Sequence, residues 1–364
     1  MDVRLTPEQR ALRDSAAQLV DRLGPHAVGQ LDDRERVAKL DATIAGAGWR
    51  ELRISGDNDG TPWASAVEVA IVAEELGRGL ADAAFLGPTL AAELRRAAAA
   101  PTTTAPETVA LTSDLSEPAC AVDGALPAGA ASVDALGAST ALVLVPAGSG
   151  AWKLGQVGVA PVDGPHAGTR VDLTRPTVAL DPSTAVDPVP GQAKDITADD
   201  ITTWTALGLA ICCADLVGTM RGAVELATEY AKERRQYGRP IGSFQAIQHL
   251  LADAFVAFDG SRSVTLHAAW AADALRPGDA LAAAAVAKAY CARAARAVCE
   301  TAIQVHGGIG NTWECLAHVH LRRALLSSDV LGGVGASLDR VLDHHGIGGA
   351  PRPPGGGSGE HGLR

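Results

Sequence analysis

Aromatic residues make up only 4% of this 364-residue chain, and it contains just two methionines. A core short of bulky fillers has to be closed by small side chains. Alanine is abundant, and it is both the best helix former and a residue that lets helices pack closely. A mostly helical protein is therefore expected. Basic residues are also outnumbered, 31 Lys and Arg against 42 Asp and Glu, a net charge of -11. That balance argues against a nucleic-acid partner. It leaves room for an anionic small molecule, which needs only a few well-placed arginines. The six cysteines (Cys120, Cys212, Cys213, Cys291, Cys299 and Cys315) form no CxxC pair and no zinc spacing. They read as reduced, mostly buried thiols of a cytoplasmic protein, with no metal site. No uninterrupted apolar run reaches about 18 residues, so no membrane span is expected. The start, Met1 to Thr6, lacks the basic-then-apolar pattern of a secretory signal.

Three regions differ in periodicity. Residues 1–108 read as helical. Thr6-Pro7-Glu8-Gln9 is a helix start with a capping box and a proline in the first turn. Leu12, Ala16, Leu19, Val20 and Leu23 follow at helical spacing, and further amphipathic stretches run over 36–47, 64–80 and 89–99. Residues 109–195 lose that period. Short apolar runs at 109–111, 141–145, 157–159 and 178–180, punctuated by Pro and Gly, read as strands of a small β-domain. Residues 196–347 return to helix, over 203–234, 244–274, 279–305 and 316–344, with Asp199 or Thr202 as a start of the first. Four long helices with short connections suggest a four-helix bundle. The Gly- and Pro-rich residues 348–364 read as a disordered tail. The fold class is thus mainly α with a small central β-domain.

Two motifs in the bundle carry chemistry. The first is Glu233-Arg234-Arg235-Gln236-Tyr237-Gly238-Arg239-Pro240-Ile241-Gly242-Ser243-Phe244-Gln245-Ala246-Ile247-Gln248-His249. Taken alone, its beginning is a charged helix end broken by a turn, a favourable place for cations. The second is Gln304-Val305-His306-Gly307-Gly308-Ile309-Gly310, whose paired glycines either cap a helix or let backbone approach a ligand closely. Together they resemble the flavin-contacting signatures of the acyl-CoA dehydrogenase family. The order of helices, strands and bundle also resembles that family's three-part architecture, with a β-barrel-like middle.

The resemblance implies FAD as cofactor and an acyl-CoA as substrate, dehydrogenated between the α and β carbons. It implies Arg234, Gln236, Phe244 and Gln245 on the pyrophosphate and adenine side of the flavin. It adds Gln304, Gly307 and Gly308 from the second motif, with His306 structural or flavin-adjacent. An arginine suits a pyrophosphate because its planar fork aims two hydrogen bonds. In the family both motifs serve the flavin of a neighbouring subunit, in homo- or hetero-oligomers built as dimers of dimers. Electrons usually leave to an electron-transfer flavoprotein.

Two family features are missing. The flavin cradle of the family, Thr-Glu-Pro followed by Gly-Ser-Asp, has only Ser116-Glu117-Pro118 as its nearest counterpart, without the continuation. The glutamate that removes the substrate α-proton has no counterpart either. Its usual position falls on Leu331 and the alternative one near Gly208. The catalytic base is therefore unknown. Asp329 is the weak candidate, and Asp215 reads as part of a polar helix face. Small residues such as Gly208, Ala210 and Ala214 either leave room for a bulky acyl chain or mark tight helix packing.

Three readings follow: a subunit completing a shared site with a different chain, as in actinobacterial heteromers acting on steroid side chains; a self-sufficient homomer with a displaced carboxylate; or a non-catalytic scaffold. The retained motifs argue against the scaffold. The reduced cradle favours the shared site.

Overall fold

The computed structural model describes residues 4–56, 60–162 and 170–347. The expected tail, 348–364, lies outside the described residues. The chain opens with helices α1 (Pro7–Leu23), α2 (Arg34–Gly46), α3 (Ala66–Arg78) and α4 (Leu86–Ala97). The Thr6–Gln9 capping box forms as the sequence indicates, each residue bonding the other's backbone. Ser65 and Glu68 make a second box that starts α3. Such reciprocal caps satisfy the N–H groups that a helix start leaves without partners.

Among the described residues six strands follow: β1 (Glu107–Leu111), β2 (Ala131–Val133), β3 (Thr140–Gly148), β4 (Ala151–Gly158), β5 (Val178–Ala179) and β6 (Asp187–Pro188). They form one sheet in the order β5-β2-β1-β3-β4-β6. Only β1 and β3 run parallel; the other pairs are antiparallel. The apolar runs at 109–111, 141–145, 157–159 and 178–180 all fall on or at the ends of these strands. Strands β2 and β6, of three and two residues, carry too few positions to show alternation.

The second helical part holds α5 (Ala198–Glu233), a two-stranded hairpin of β7 (Arg235–Gln236) and β8 (Arg239–Pro240), then α6 (Gln245–Ala274), α7 (Pro277–His306), α8 (Ala317–Asp329) and α9 (Val334–His344). Helix α5 starts earlier than Asp199 or Thr202, because Thr197 and Asp200 form a third capping box. The single helix expected over 316–344 is two helices. The chain turns at 330–333, where Leu331 and Gly332 adopt left-handed φ values of +61° and +91°, which no helix can continue through.

Helix α5 runs through the middle and packs on α3, α6, α7 and α8. It has the length and apolarity to cross a bilayer, and 83% of that apolar window is buried inside the fold. Its small residues set the close crossing with α3. A Cβ on Gly218 would overlap the Glu74 carbonyl, and one on Gly77 would lie 2.5 Å from the Asp215 carbonyl oxygen. Alanine and glycine here bring backbones together. Trp204 fills space the small residues leave, fully buried with its indole N–H on the Leu90 carbonyl at 2.9 Å.

Asp215 is not on a polar face. It is 4% exposed and accepts from Arg323 Nε at 3.0 Å, Arg323 Nη2 at 2.7 Å and Ser327 Oγ at 2.6 Å. Arg175 Nη2 lies 3.3 Å away and the same guanidinium also reaches Asp172. The remaining guanidinium nitrogen of Arg323 donates to the Ala81 carbonyl and to Thr174 Oγ1. The cluster joins α5, α8, the strand region and the α3–α4 connection. Burial works to raise the Asp215 pKa, but Arg175 and Arg323 outweigh it and hold the carboxyl below its usual range.

Candidate functional site

The two motifs meet at one end of the bundle. Helix α5 ends at Glu233, and Arg234 caps it through N–H to the Tyr230 carbonyl at 2.8 Å. The chain then reverses in the β7–β8 hairpin, where Arg235 faces Pro240 and Gln236 faces Arg239. The two turn residues, Tyr237 (φ +51°) and Gly238 (φ +77°), are both left-handed. That is the two-residue geometry whose twist matches flanking strands. Phe244 then caps α6. The Arg239 guanidinium lies 4.3 Å from the centroid of the Phe244 ring, a cation–π contact. Tyr237 meets the same ring edge-on at 6.2 Å.

From the other side α7 delivers Gln304 and stops at His306. Gly307 has φ +65°, and a Cβ at Gly307 or Gly308 would meet no atom within 4 Å. The left-handed backbone explains the first glycine; the second has open space beside it. His306 is buried, stacked on Tyr230 at 4.4 Å and bonded through Nδ1 to the Ala302 carbonyl at 2.7 Å. Its ring is a wall of the site.

Between these elements lies a cleft of about 530 Å³, within the range of ligand pockets. Arg234, Gln236, Phe244, Gln304, Gly307 and Gly308 line it, six of the seven residues that the resemblance marks for the flavin. Gln245 is exposed at the start of α6 and outside the lining. Tyr230, outside both motifs, joins the lining, as do Ile241 and Ile247, which lie in the first motif but to which the resemblance gives no flavin contact. A signal for Tyr230 exists, since it stands one helical turn before Arg234. Arg234, Arg235 and Arg239 are exposed, and none makes an ion pair among the described residues. In a chain of net charge -11, guanidinium groups with no carboxylate partner beside a glycine-lined cleft are chemistry for a bound anion such as a pyrophosphate. No group of three or more His, Cys, Asp or Glu suited to a metal occurs among the described residues.

The positions implied for the catalytic base lie elsewhere, and they touch each other. Leu331 is 0% exposed, and a Cβ on Gly208 would overlap its Cδ1. Leu331 N–H donates to the Leu115 carbonyl at 2.7 Å, bolting the 112–118 loop onto the α8–α9 break. Arg340 holds the Leu331 carbonyl at 2.7 Å. The buried Lys288 ammonium donates to the carbonyls of Ser327 at 2.6 Å and Val330 at 2.7 Å. The Ser116-Glu117-Pro118 segment is a tight turn, closed by Thr112 N–H on the Glu117 carbonyl at 2.9 Å. Asp329 is exposed at the end of α8. Asp215 is consumed by its arginines. Ala210 and Ala214 are buried at 1% each on the tightly packed α5.

Comparison with known proteins shows the family of the chain. Residues 204–337 match the model of the acyl-CoA dehydrogenase C-terminal domain. The chain is 31% identical over 337 residues to the acyl-CoA dehydrogenase IpdE2 of Mycobacterium tuberculosis, covering 90% of this chain and 94% of that protein. Among solved structures, the ChsE4-ChsE5 complex from Mycobacterium tuberculosis superposes with a TM-score of 0.76 at 23% identity, over 96% of this chain and 100% of that one. A variant of the Tcur3481-Tcur3483 steroid ACAD gives a TM-score of 0.72 at 22% identity, over 93% and 98% of the two chains. The chain belongs to the acyl-CoA dehydrogenase family, FAD-dependent oxidoreductases of lipid and steroid degradation.

Proposed function

We propose that this chain is one subunit of an acyl-CoA dehydrogenase whose active site is shared with a different family chain. The observation that carries the reading is a contrast within one molecule. The cleft that faces outward, with Arg234, Gln236, Gln304 and Gly307-Gly308, is open. The place where this chain's own base would stand is filled by Leu331 lying against Gly208, with the 112–118 loop hydrogen-bonded over it. An acyl thioester and a base have no room there.

The partner chain in this reading supplies the flavin cradle and the carboxylate that removes the α-proton, held within hydrogen-bonding reach of it. FAD, when bound, supplies the acceptor for the β-hydride. This chain contributes the guanidinium of Arg234 to the pyrophosphate, the amide side chains of Gln236 and Gln304, the Phe244 ring and the bare backbone of Gly307-Gly308. The ring of Phe244, in contact with Arg239 and Tyr237, gives the adenine side an apolar surface. The two-named ChsE4-ChsE5 complex among the similar structures is compatible with such a pairing. Electron-transfer flavoprotein is the proposed acceptor and the cytoplasm the proposed compartment, in keeping with six free cysteines.

The test is flavin content. The chain purified alone should be colourless. Co-purified with a family chain that carries the base, it should give one flavin per pair, and Arg234→Ala in this chain should lower that occupancy. One flavin per chain in the protein purified alone would overturn the shared-site reading.

A further inference from the structure

Phe244 stands where the chain leaves the β7–β8 hairpin and enters α6. Its backbone is fixed there. Its N–H donates to the Ile241 carbonyl at 3.0 Å, and its own carbonyl takes the N–H groups of Ile247 and Gln248, both at 3.1 Å. What the backbone leaves free is the ring, which turns about its side-chain torsions. Two residues of the hairpin close on it. Tyr237 meets the ring at 83° with 6.2 Å between centroids, an edge-to-face pair. The Arg239 guanidinium lies over the ring, 4.3 Å from its centroid, where the negative face of an aromatic ring attracts a cation.

The hairpin aims this contact. Left-handed Tyr237 and Gly238 make the turn, and Gln236 and Arg239 face each other directly across it. That register fixes the Arg239 backbone, and no carboxylate among the described residues draws the guanidinium elsewhere. Phe244, Tyr237 and Gln236 line the flavin-side cleft, whereas Arg239 does not. A ring has two faces, and Arg239 covers one of them from outside the cleft. The other is left to the cleft, where a planar group can stack.

We propose that Arg239 is a positioning residue for the adenine end of FAD. It acts through Phe244, by holding that ring as a stacking surface, and makes no contact with the pyrophosphate. Arg234 serves the phosphates; Arg239 serves the base. The inference rests on the reading of this cleft as the pyrophosphate and adenine side of a flavin site, and it adds a residue that the resemblance does not mark. It also means that the surface for the base is set in this chain before a partner arrives.

The experiment titrates the full chain alone by calorimetry with two probes. ADP carries adenine and a diphosphate; inorganic pyrophosphate lacks the base. An ionic strength of about 0.15 M, where the Debye length is about 8 Å, screens long-range charge effects. Arg239→Gln should weaken ADP binding about two- to fivefold, the range of one exposed cation–π contact, and leave pyrophosphate binding unchanged. Arg239→Lys, which keeps a cation for the ring, should recover most of that loss. In a Phe244→Leu background, Arg239→Gln should change ADP binding no further, because the ring it acts through is gone. Arg234→Ala should weaken both probes. Three results overturn the inference while the reading of the cleft stands: no effect of Arg239→Gln on ADP, an equal loss of pyrophosphate binding, or the same effect with and without the Phe244 ring. A chain that does not bind ADP, or binds it with no dependence on Arg234, removes the reading of the cleft and this inference with it.

Discussion

Replacing Asp215 by Asn tests the central claim about how this fold is held. The carboxylate faces two buried guanidinium groups, Arg323 at 2.7 Å and Arg175 at 3.3 Å, and takes the Ser327 hydroxyl at 2.6 Å. Asn keeps the shape but removes the charge and turns one oxygen into a donor pointed at donors. Arg323 retains the Ala81 carbonyl and the Thr174 hydroxyl, and Arg175 retains Asp172. The loss is therefore partial, yet two positive charges share a buried site with one negative partner fewer. Removing one member of a buried pair costs about 3–5 kcal/mol, a large share of a stability of about 5–15 kcal/mol. At about 2 °C per kcal/mol for a large chain, the midpoint should fall by roughly 6–10 °C. The pH dependence fixes the cause. The folded state holds this carboxyl below its ordinary pKa. Its stabilisation is therefore fully present above the unfolded carboxylate range and lost as pH falls through the depressed folded value. The gap between wild type and Asp215→Asn should be constant near neutrality and narrow in acid. Thermal unfolding followed by circular dichroism across that range measures it. A gap below about 1 kcal/mol at neutral pH, the size of an exposed pair, or one that widens in acid, would show that the cluster is not what joins these elements.

Asp134 should behave in the opposite way. It is buried, its Oδ2 accepts from Phe85 N–H at 2.7 Å, its Oδ1 has no partner, and burial raises its pKa. Asp134→Asn keeps an acceptor for that N–H, so its stability relative to wild type should rise as pH climbs from the ordinary carboxylate range through the raised folded value, in the same unfolding assay. Gly218→Ala should cost about 3 kcal/mol, the upper end of overpacking, because its Cβ would strike the Glu74 carbonyl, a backbone atom that cannot step aside. Gly335→Ala, in α9 with nothing within 4 Å of the added carbon, should stabilise by about 0.5–1 kcal/mol in denaturant titration. Leu331→Glu should not create a dehydrogenase in the chain alone. It should instead lower the unfolding midpoint, since the side chain enters a closed apolar contact with Gly208.

The sequence shows some of this directly and hides the rest for definite reasons. The Thr6–Gln9 box and the run 141–145 are local patterns, and local patterns need no partner to be read. The flavin-side cleft is legible for a similar reason, since Arg234 to Phe244 is one contiguous stretch and Gln304 to Gly308 another. Asp215 misleads because its meaning lies in Arg175 and Arg323, 40 and 108 positions away. Nothing in Ala-Asp-Leu-Val-Gly announces two arginines arriving from other elements. The helix break at 330–333 has a signal in Gly332-Gly333. The decisive residue is Leu331, a branched side chain in left-handed backbone, which no propensity predicts.

That strained leucine ties the absent base to the architecture. A non-glycine residue holds a left-handed φ only when its surroundings compensate. Here the compensation is visible: the amide bonds Leu115, the carbonyl takes Arg340, Lys288 secures the preceding turn through Ser327 and Val330, and the side chain fills the hollow at Gly208. Several independent contacts converge on the position that resemblance assigns to a glutamate. Replacing a glutamate by chance would leave a cavity or a mobile loop. A site this thoroughly filled is one that the fold uses for packing. The chemistry this chain can still offer then lies on its exposed end, where Arg234 and the glycines that follow α7 face outward.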